Sequence, residues 1–296
     1  MGHLLGHHQY GKAEIRVVRL FRDSDPHQIV DYNVSVAVSG DIGETWLSGD
    51  NSACLTTDAM KNTVNAFARS QPDAVRQPEE FARVLARHFV ETVPQIGTAR
   101  VSIESYGWDR LAGHPHAFAR SGRLVRTCSV VRSSDEEWVT SGLRDLVVLK
   151  TTDSEFWGFY TDAYTTLPPT QDRILATAVT AQWWHTPAEG PQDWDASHLA
   201  VVDALTETFA GHHSLALQQT LFAMGEAVLD AAKGVAEIRL SMPNKHHFLL
   251  DLSAFGLDNP GEVFHADDRP YGLIEGTVRR EGAGEPGPAY DPGQAW

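Results

Sequence analysis

The stretch QIVDYNVSVAVSG, residues 28–40, carries an apolar side chain at every second position. Successive side chains of a strand point to opposite sides, so five apolar residues would share one face: Val30, Tyr32, Val34, Val36 and Val38. The preceding stretch AEIRVVRLF, residues 13–21, is rich in strand formers, and a polar turn at 23–26 separates the two. The sequence therefore predicts an antiparallel hairpin with one buried face.

Two amphipathic helices are predicted after the hairpin. Asp58 is a suitable N-cap for the first, and Pro78 suits the first turn of the second. Their apolar sides comprise Met60, Val64 and Phe67 in the first helix and Phe81, Val84, Leu85, His88 and Phe89 in the second. Two further strands, over 98–108 and 116–133, complete the order ββααββ.

The second half of the chain repeats this order. Its predicted elements are strands over 142–152 and 173–186, helices with N-caps Asp195 and Ser214, and strands over 236–243 and 246–255. We therefore expect an α+β protein with two tandem ββααββ units, 10–136 and 137–280. Sheets with helices on only one face favour closure into a barrel on oligomerisation. The segment 281–296, rich in Gly, Pro and Ala, is expected to be a mobile tail.

Composition and charge argue against several classes of function. The 296 residues carry 24 Lys and Arg against 39 Asp and Glu, a net charge of −15, which argues against binding to nucleic acid or an anionic membrane. Cys54 and Cys128 are too few for a disulfide scaffold or a zinc-ligand set. There is no apolar run of ~18 residues, no signal-peptide pattern and no Ser-Lys-Leu ending. These features lead us to expect a cytoplasmic protein.

The stretch SEFWGFYTDAYTTLPPTQDRIL, residues 154–175, combines an aromatic cluster around Phe156 with a single arginine, Arg173. An aromatic ring can stack on a flat heterocycle, and a guanidinium can bind two acceptors on its edge. The pair would form a clamp for a planar, oxygen-rich anion. The structural alternative is a core aromatic and a surface arginine.

Further candidate residues lie at the ends of predicted elements. Thr57 and Asp58 stand at a helix N-terminus, which favours anions, although simple capping is the alternative. Lys12 opens the first strand and could act as a base if its surroundings lowered its pKa, whereas most lysines are solvated.

The second half adds polar groups beside apolar positions. Gln218 follows Leu217 at the start of a helix and offers a donor and an acceptor to a heterocycle edge, or is a plain surface amide. Asn244, His246 and Phe248 would share one face of a strand, where a polar pair departs from the apolar pattern.

Taken in order, these motifs resemble those of the urate oxidase (uricase) family along nearly the whole chain. The matching stretches are Tyr10-Gly11-Lys12, Thr57-Asp58, Lys61-Asn62-Thr63, His114-Pro115-His116, Phe156-Trp157-Gly158-Phe159, Asp172-Arg173-Ile174-Leu175, Gln218 and Pro243-Asn244-Lys245-His246. The step of 17 residues from Phe156 to Arg173 is the most specific feature. Leu249 departs from the pattern, because some relatives carry an acidic residue there.

The resemblance implies the tunnelling fold (T-fold), assembled as a homotetramer with active sites between subunits. It implies oxidation of urate by dioxygen and water to 5-hydroxyisourate and hydrogen peroxide, without metal or organic cofactor. By this likeness Phe156 stacks on the purine, Arg173 and Gln218 hold its edges with the backbone of Leu217, and Asn244 holds oxygen or water above the ring.

The resemblance also assigns a proton relay to Lys12, Thr57 and His246, with Thr57 and Asp58 supplied by the neighbouring subunit. Two other interpretations stay open. One is a metal-dependent pterin or purine enzyme of the same fold that uses some of the 14 histidines. The other is a purine-binding protein without catalysis.

Overall fold

The computed structural model describes residues 2–23, 25–187 and 192–290. The strands in this part of the chain are β1 (Tyr10–Phe21), β2 (Gln28–Gly40), β3 (Ile96–Arg110), β4 (Phe118–Ser133), β5 (Glu137–Lys150), β6 (Leu175–His185), β7 (Val235–Pro243), β8 (His246–Leu249), β9 (Phe264–Asp267) and β10 (Leu273–Arg279). The α-helices are α1 (Glu44–Leu47), α2 (Thr57–Ser70), α3 (Pro78–Thr92), α4 (Trp194–Gly211) and α5 (Leu217–Ala231). Short 3₁₀ turns are Ala74–Arg76, Ser253–Phe255 and Gly287–Tyr290.

The chain divides into two compact units. The first comprises residues 1–142, 183–196 and 284–296, and the second comprises 143–182 and 197–283. Of the predicted tail, residues 281–290 include the 3₁₀ turn with buried Ala289, whereas 291–296 lie outside the described residues. None of the helices in the described residues has the length and apolar composition needed to cross a membrane.

The first unit is built on the predicted hairpin. β1 and β2 pair antiparallel from Tyr10 opposite Val38 to Phe21 opposite Gln28, so the hairpin is confirmed. The alternating face is buried as expected at Tyr32, Val34, Val36 and Val38, while Val30 is partly buried. The strand order in this unit is β1-β2-β3-β4-β5.

Helices α2 and α3 provide the rest of the first core. The prediction of a helix beginning at Pro78 is confirmed. The prediction that Asp58 caps α2 is wrong, because Thr56 has the extended backbone of an N-cap and its Oγ1 accepts a hydrogen bond from Ala59 N at 3.1 Å. Half-buried His88 packs between Phe67 and Phe89.

The predicted caps of the last two helices are also wrong. α4 begins at Trp194, and Asp193 Oδ1 accepts a hydrogen bond from Ala196 N at 3.0 Å. The Asp195 carboxylate instead forms an ion pair with the Arg126 guanidinium at 2.5 Å. Ser214 is buried three residues before α5, and its Oγ accepts a hydrogen bond from Thr220 Oγ1 at 2.8 Å.

The second unit has the strand order β5-β6-β7-β10. The predicted partner of β7, residues 246–255, is wrong. β10 pairs with β7 from Leu273 opposite Pro243 to Arg279 opposite Glu237, while β8 and β9 form a separate two-stranded sheet. Residues 246–255 cannot extend as one strand, because Asp251 accepts a hydrogen bond from Ser253 N at 2.9 Å and the chain turns there.

Candidate active site

The predicted pair of Phe156 and Arg173 is brought together in the second unit. Phe156 and Thr170 exchange two backbone hydrogen bonds of 2.8 and 2.9 Å, which close the intervening loop. The loop therefore returns the chain to its starting point, and the Arg173 Cζ atom lies 5.1 Å from the centroid of the Phe156 ring. The Phe159 ring stacks on Phe156 at 5.0 Å.

The surroundings of Arg173 suit an anionic ligand. Arg173 lies just before β6, which begins two residues later than predicted. The side chain is half-buried, and this burial lowers the pKa of its guanidinium from the ordinary value. Its Nε donates to the buried Ser154 Oγ at 3.4 Å, and no carboxylate in the described part of the chain pairs with it. A buried charge gains most from an opposite charge, so the site favours an anion.

The start of α5 lies beside the Phe156 segment. Glu155 N donates to Ser214 O at 2.7 Å, and Ser214 N donates to Asp153 O at 3.1 Å. Leu217, the first helical residue, is buried, and the Gln218 side chain is exposed. Backbone N–H groups in the first turn of a helix have no acceptor inside the helix, so they can bind a ligand.

Asn244 joins this region through β6. It forms a bridge with Thr177, four residues after Arg173, and its backbone N donates to Gly272 O at 2.8 Å. The next residue, Lys245, donates its backbone N to Ala176 O at 2.9 Å. Asn244 is thus fixed by backbone bonds outside β8, rather than within one strand with His246 as predicted.

His246 opens β8 and faces a cavity. Its ring stacks on Phe248 at 5.6 Å, as expected for residues on one strand face. It lines a cavity of about 360 Å³ together with Ala176, Lys245 and Asp267. The imidazole is therefore next to a space that can hold small molecules and beside the β6 segment that pairs with Asn244.

Lys12 lies in the first unit, opposite Val36 on β2. A β-bulge follows between Lys12 and Ile15, and Glu14 adopts a left-handed φ of 56°. Gly11 is required next to Lys12, because a Cβ atom there would lie 1.8 Å from Val36 O. Bulges often redirect side chains next to functional sites.

Thr57 and Asp58 open α2 in the same unit. The Asp58 carboxylate accepts hydrogen bonds from Lys61 Nζ at 2.6 Å and Asn62 Nδ2 at 2.8 Å. The bond from Lys61 is the main cause that lowers the Asp58 pKa, and the charge of Lys12 contributes as well. Lys12 is thus electrostatically close to the beginning of α2.

Two supporting contacts of the site were missed in the sequence. The hydroxyl of Tyr10, itself a motif residue, donates to Leu55 O at 2.8 Å, which connects the start of β1 to the segment before α2. Ser154 supports Arg173 and stands two residues before Phe156. Neither contact has a local sequence signal, because the two partners are distant in sequence. Within the described ranges, no three His, Cys, Asp or Glu side chains are grouped to hold a metal ion.

Comparisons with known proteins identify the family of this chain. The family model described as Uricase matches residues 8–131 and 139–275. A uricase from Arthrobacter globiformis is 47% identical over 280 residues, covering 95% of this chain and 91% of that protein. A uricase from Aspergillus flavus is 36% identical over 290 residues, covering 92% of this chain and 95% of that protein.

Solved structures give the same assignment. The crystal structure of uricase from Arthrobacter globiformis matches with a TM-score of 0.92 at 46% identity, covering 96% of this chain and 98% of that chain. The urate oxidase structure from Bacillus sp. TB-90 shares the fold with a TM-score of 0.81 at 22% identity, covering 93% of this chain and 100% of that chain. The predicted α+β T-fold is confirmed by these neighbours. The chain belongs to the uricase family.

Proposed function

We propose that this chain oxidises urate with dioxygen and water, and that Phe156, Arg173 and Gln218 hold the purine. Membership of the uricase family supports the substrate and the reaction. The observation that carries the binding assignment is the half-buried Arg173 guanidinium, 5.1 Å from the Phe156 ring centroid. A planar anion would find both a stacking surface and a charged fork there.

The proposed reaction converts urate, dioxygen and water to 5-hydroxyisourate and hydrogen peroxide. Two electrons leave the purine and reduce dioxygen to peroxide, while water supplies the new hydroxyl group at C5. The electron-rich urate anion can itself donate these electrons, so the reaction as proposed uses no metal or organic cofactor. The protein's tasks are then to favour the deprotonated substrate, to position oxygen and to move protons.

Lys12, Thr57 and His246 form the proposed relay. A lysine amine and an imidazole can both exchange protons near neutral pH when their surroundings are tuned, and the Thr57 hydroxyl can pass a proton between neighbours. The Asn244 amide, fixed by its backbone bonds beside β6, would hold oxygen or water above the purine.

We further propose that the active enzyme is a homotetramer, in which Thr57 and Asp58 reach the purine from the neighbouring subunit. Exposed apolar residues on two strands support burial against another copy. They are Val18 and Leu20 on β1 and Val147 and Leu149 on β5. Large exposed apolar side chains gathered on a sheet are typical of an interface.

Oxygen uptake by the purified protein with urate, with and without a chelator, tests the proposed reaction. We expect uptake with stoichiometric peroxide that the chelator does not reduce. Uptake that the chelator abolishes would instead support the metal-dependent enzyme. Urate binding without any uptake would support the purine-binding protein. Sedimentation of the active preparation at several concentrations tests the tetramer.

A further inference from the structure

The imidazole of His213 joins two carboxylates outside the proposed relay and clamp. Its Nε2 lies 2.7 Å from Glu155 Oε1, and its Nδ1 bonds Asp153 Oδ1. Glu155 directly precedes Phe156 and Asp153 stands three residues before it, whereas His213 belongs to the loop between α4 and α5. The second oxygen of Glu155 accepts a hydrogen bond from Trp157 Nε1. The His213 side chain therefore forms a junction between the segment before Phe156 and the loop before α5.

Backbone hydrogen bonds connect the same two segments. Ser214 N donates to Asp153 O and Ser214 O accepts from Glu155 N, at 3.1 and 2.7 Å. Asp153 has a left-handed φ of 64°, a conformation that Asp adopts more readily than most residues other than glycine. Three residues beyond Ser214, α5 begins with Leu217. The junction thus sets the distance between the Phe156 segment and the start of α5.

The two bonds require a protonated imidazole. A carboxylate only accepts hydrogen bonds, so both ring nitrogens of His213 must donate, and only the cation carries two N–H groups. The other charged groups at this junction are Lys150, which donates to the carbonyl oxygen of His212, and His212 itself. Lys150 and His212 are basic, so the two carboxylates supply the negative charge that favours the imidazolium.

We propose that His213 is a positioning residue for urate, whose charged imidazole holds the Phe156 segment and the start of α5 at the spacing that the purine clamp needs. This inference rests on the proposed function. The proposal assigns His213 no contact with urate itself. It acts through Phe156 on one side and through Leu217 and Gln218 on the other.

The pH dependence has a definite sign. The bonds to Asp153 and Glu155 raise the pKa of His213, and the bond from His213 lowers the pKa of Asp153. The Glu155 pKa is lowered chiefly by Trp157 and next by His213. The junction is therefore complete between the lowered pKa values of the two carboxylates and the raised pKa of His213, and it loses one of its two bonds as pH rises through the His213 pKa. Urate binding should weaken as pH rises through that same pKa.

The test compares His213→Gln with wild type in kcat and KM for urate over a pH series that spans the raised His213 pKa. Below that pKa we expect KM to rise about two- to fivefold, as for loss of an exposed charged pair, with kcat nearly unchanged. The ratio of the two KM values should fall towards one as wild type loses its own bridge. Ionisation of urate is common to both proteins, so it cancels in this ratio. His3→Gln is the matched control, because His3 is also an exposed histidine and is distant from His213 in the sequence.

A KM ratio that stays at one, or that is constant with pH, would overturn the inference. If His213→Gln does not fold, NMR titration of the wild-type His213 imidazole decides instead, because an ordinary imidazole pKa would exclude the double bridge. Arg173→Ala run in parallel separates this inference from the proposed function. If Arg173→Ala binds urate as tightly as wild type, the clamp is refuted. If Arg173→Ala binds urate more weakly but His213→Gln leaves KM unchanged, only the positioning role of His213 is refuted.

Discussion

Lys12 and Thr57 stand on a different kind of backbone from Phe156 and Arg173. In the first unit, Lys12 and Thr57 stand on regular elements, a strand and the first turn of a helix. In the second, Phe156 and Arg173 stand on irregular chain that is closed by isolated backbone bridges. A regular scaffold suits groups that must keep a constant spacing for proton transfer, whereas a closed loop can fit the outline of a ligand.

The charged groups around Asp58 and Arg173 also differ. Asp58 lies beside the cations Lys61 and Lys12, whereas half-buried Arg173 has no carboxylate partner in the described residues. The Asp58 carboxylate is thus already paired with a cation, whereas the Arg173 guanidinium is available to an anionic ligand. We therefore expect a change at Lys12 to lower turnover and a change at Arg173 to lower urate affinity.

The largest effect is expected from Lys12→Ala. The loss of a proton-transfer group typically lowers turnover about 10²- to 10⁴-fold. Urate affinity should stay close to wild type, because the clamp residues belong to the second unit. Oxygen-uptake kinetics together with anaerobic urate binding would measure both quantities. Lys233→Ala, at an exposed surface lysine, is the control, and unchanged turnover in Lys12→Ala would make the relay assignment wrong.

Arg173→Ala should show the opposite pattern. We expect urate affinity to fall about 10²-fold or more, because a pair of charge-assisted hydrogen bonds and the attraction for the anion are lost together. Equilibrium binding of urate under anaerobic conditions measures this loss. Arg173→Lys retains the charge without the planar fork and should recover only part of the affinity. Equal affinities in wild type and Arg173→Ala would place the anion site elsewhere.

Gly11→Ala tests the scaffold under Lys12. The added Cβ would lie 1.8 Å from Val36 O and 2.8 Å from Ala37 Cα, so the strands must separate. We expect the free energy of unfolding to fall by about 2–3 kcal/mol, as for other overpacked positions. Chemical denaturation would measure it. Gly97→Ala is the matched strand control, because its Cβ meets only Gly40 Cα at 3.8 Å, and equal losses in both variants would contradict the close approach.

Tyr10→Phe should have the smallest effect. It removes the hydrogen bond to Leu55 O and keeps the ring that packs against Trp46. We expect about 1 kcal/mol lower stability and a few-fold lower turnover, because Thr57 would be held less firmly relative to Lys12. Tyr32→Phe removes a comparable hydroxyl bond to Val75 O inside the core. Equal turnover losses in these two variants would show that Tyr10 has no specific role at the site.

Much of the fold could be predicted where the signal is local. The alternation in 28–40 and the proline at the start of α3 both gave correct elements, since side-chain periodicity and proline geometry act within a few residues. The predicted caps of α2 and α4 were wrong because a neighbouring residue satisfies the same local rule. Thr56 caps α2 in place of Asp58, and Asp193 rather than Asp195 bonds the first turn of α4, while the Asp195 carboxylate pairs with Arg126.

The candidate site also combines features that the sequence predicts with contacts that it does not. Its motif residues were identifiable because their types suit purine chemistry and occur in the order of a known family. Their supporting bonds were not, because Arg173 with Ser154, and Tyr10 with Leu55, pair residues that 19 and 45 positions separate. The partner of β7 was missed for this reason too, since an excursion containing β8 and β9 intervenes before β10.

The α+β composition, the first hairpin, the helix at Pro78 and the pairing of Phe156 with Arg173 as clamp candidates were predictable from residue types and short spacings. The relay of Lys12, Thr57 and His246 came from the resemblance to a known family. The folded chain was needed to show that Arg173 lies over Phe156, that β10 pairs with β7 and that His213 joins Asp153 to Glu155. Contacts of this kind depend on which distant segments close on one another, and that outcome is set by the free energy of the whole packed chain rather than by local preference.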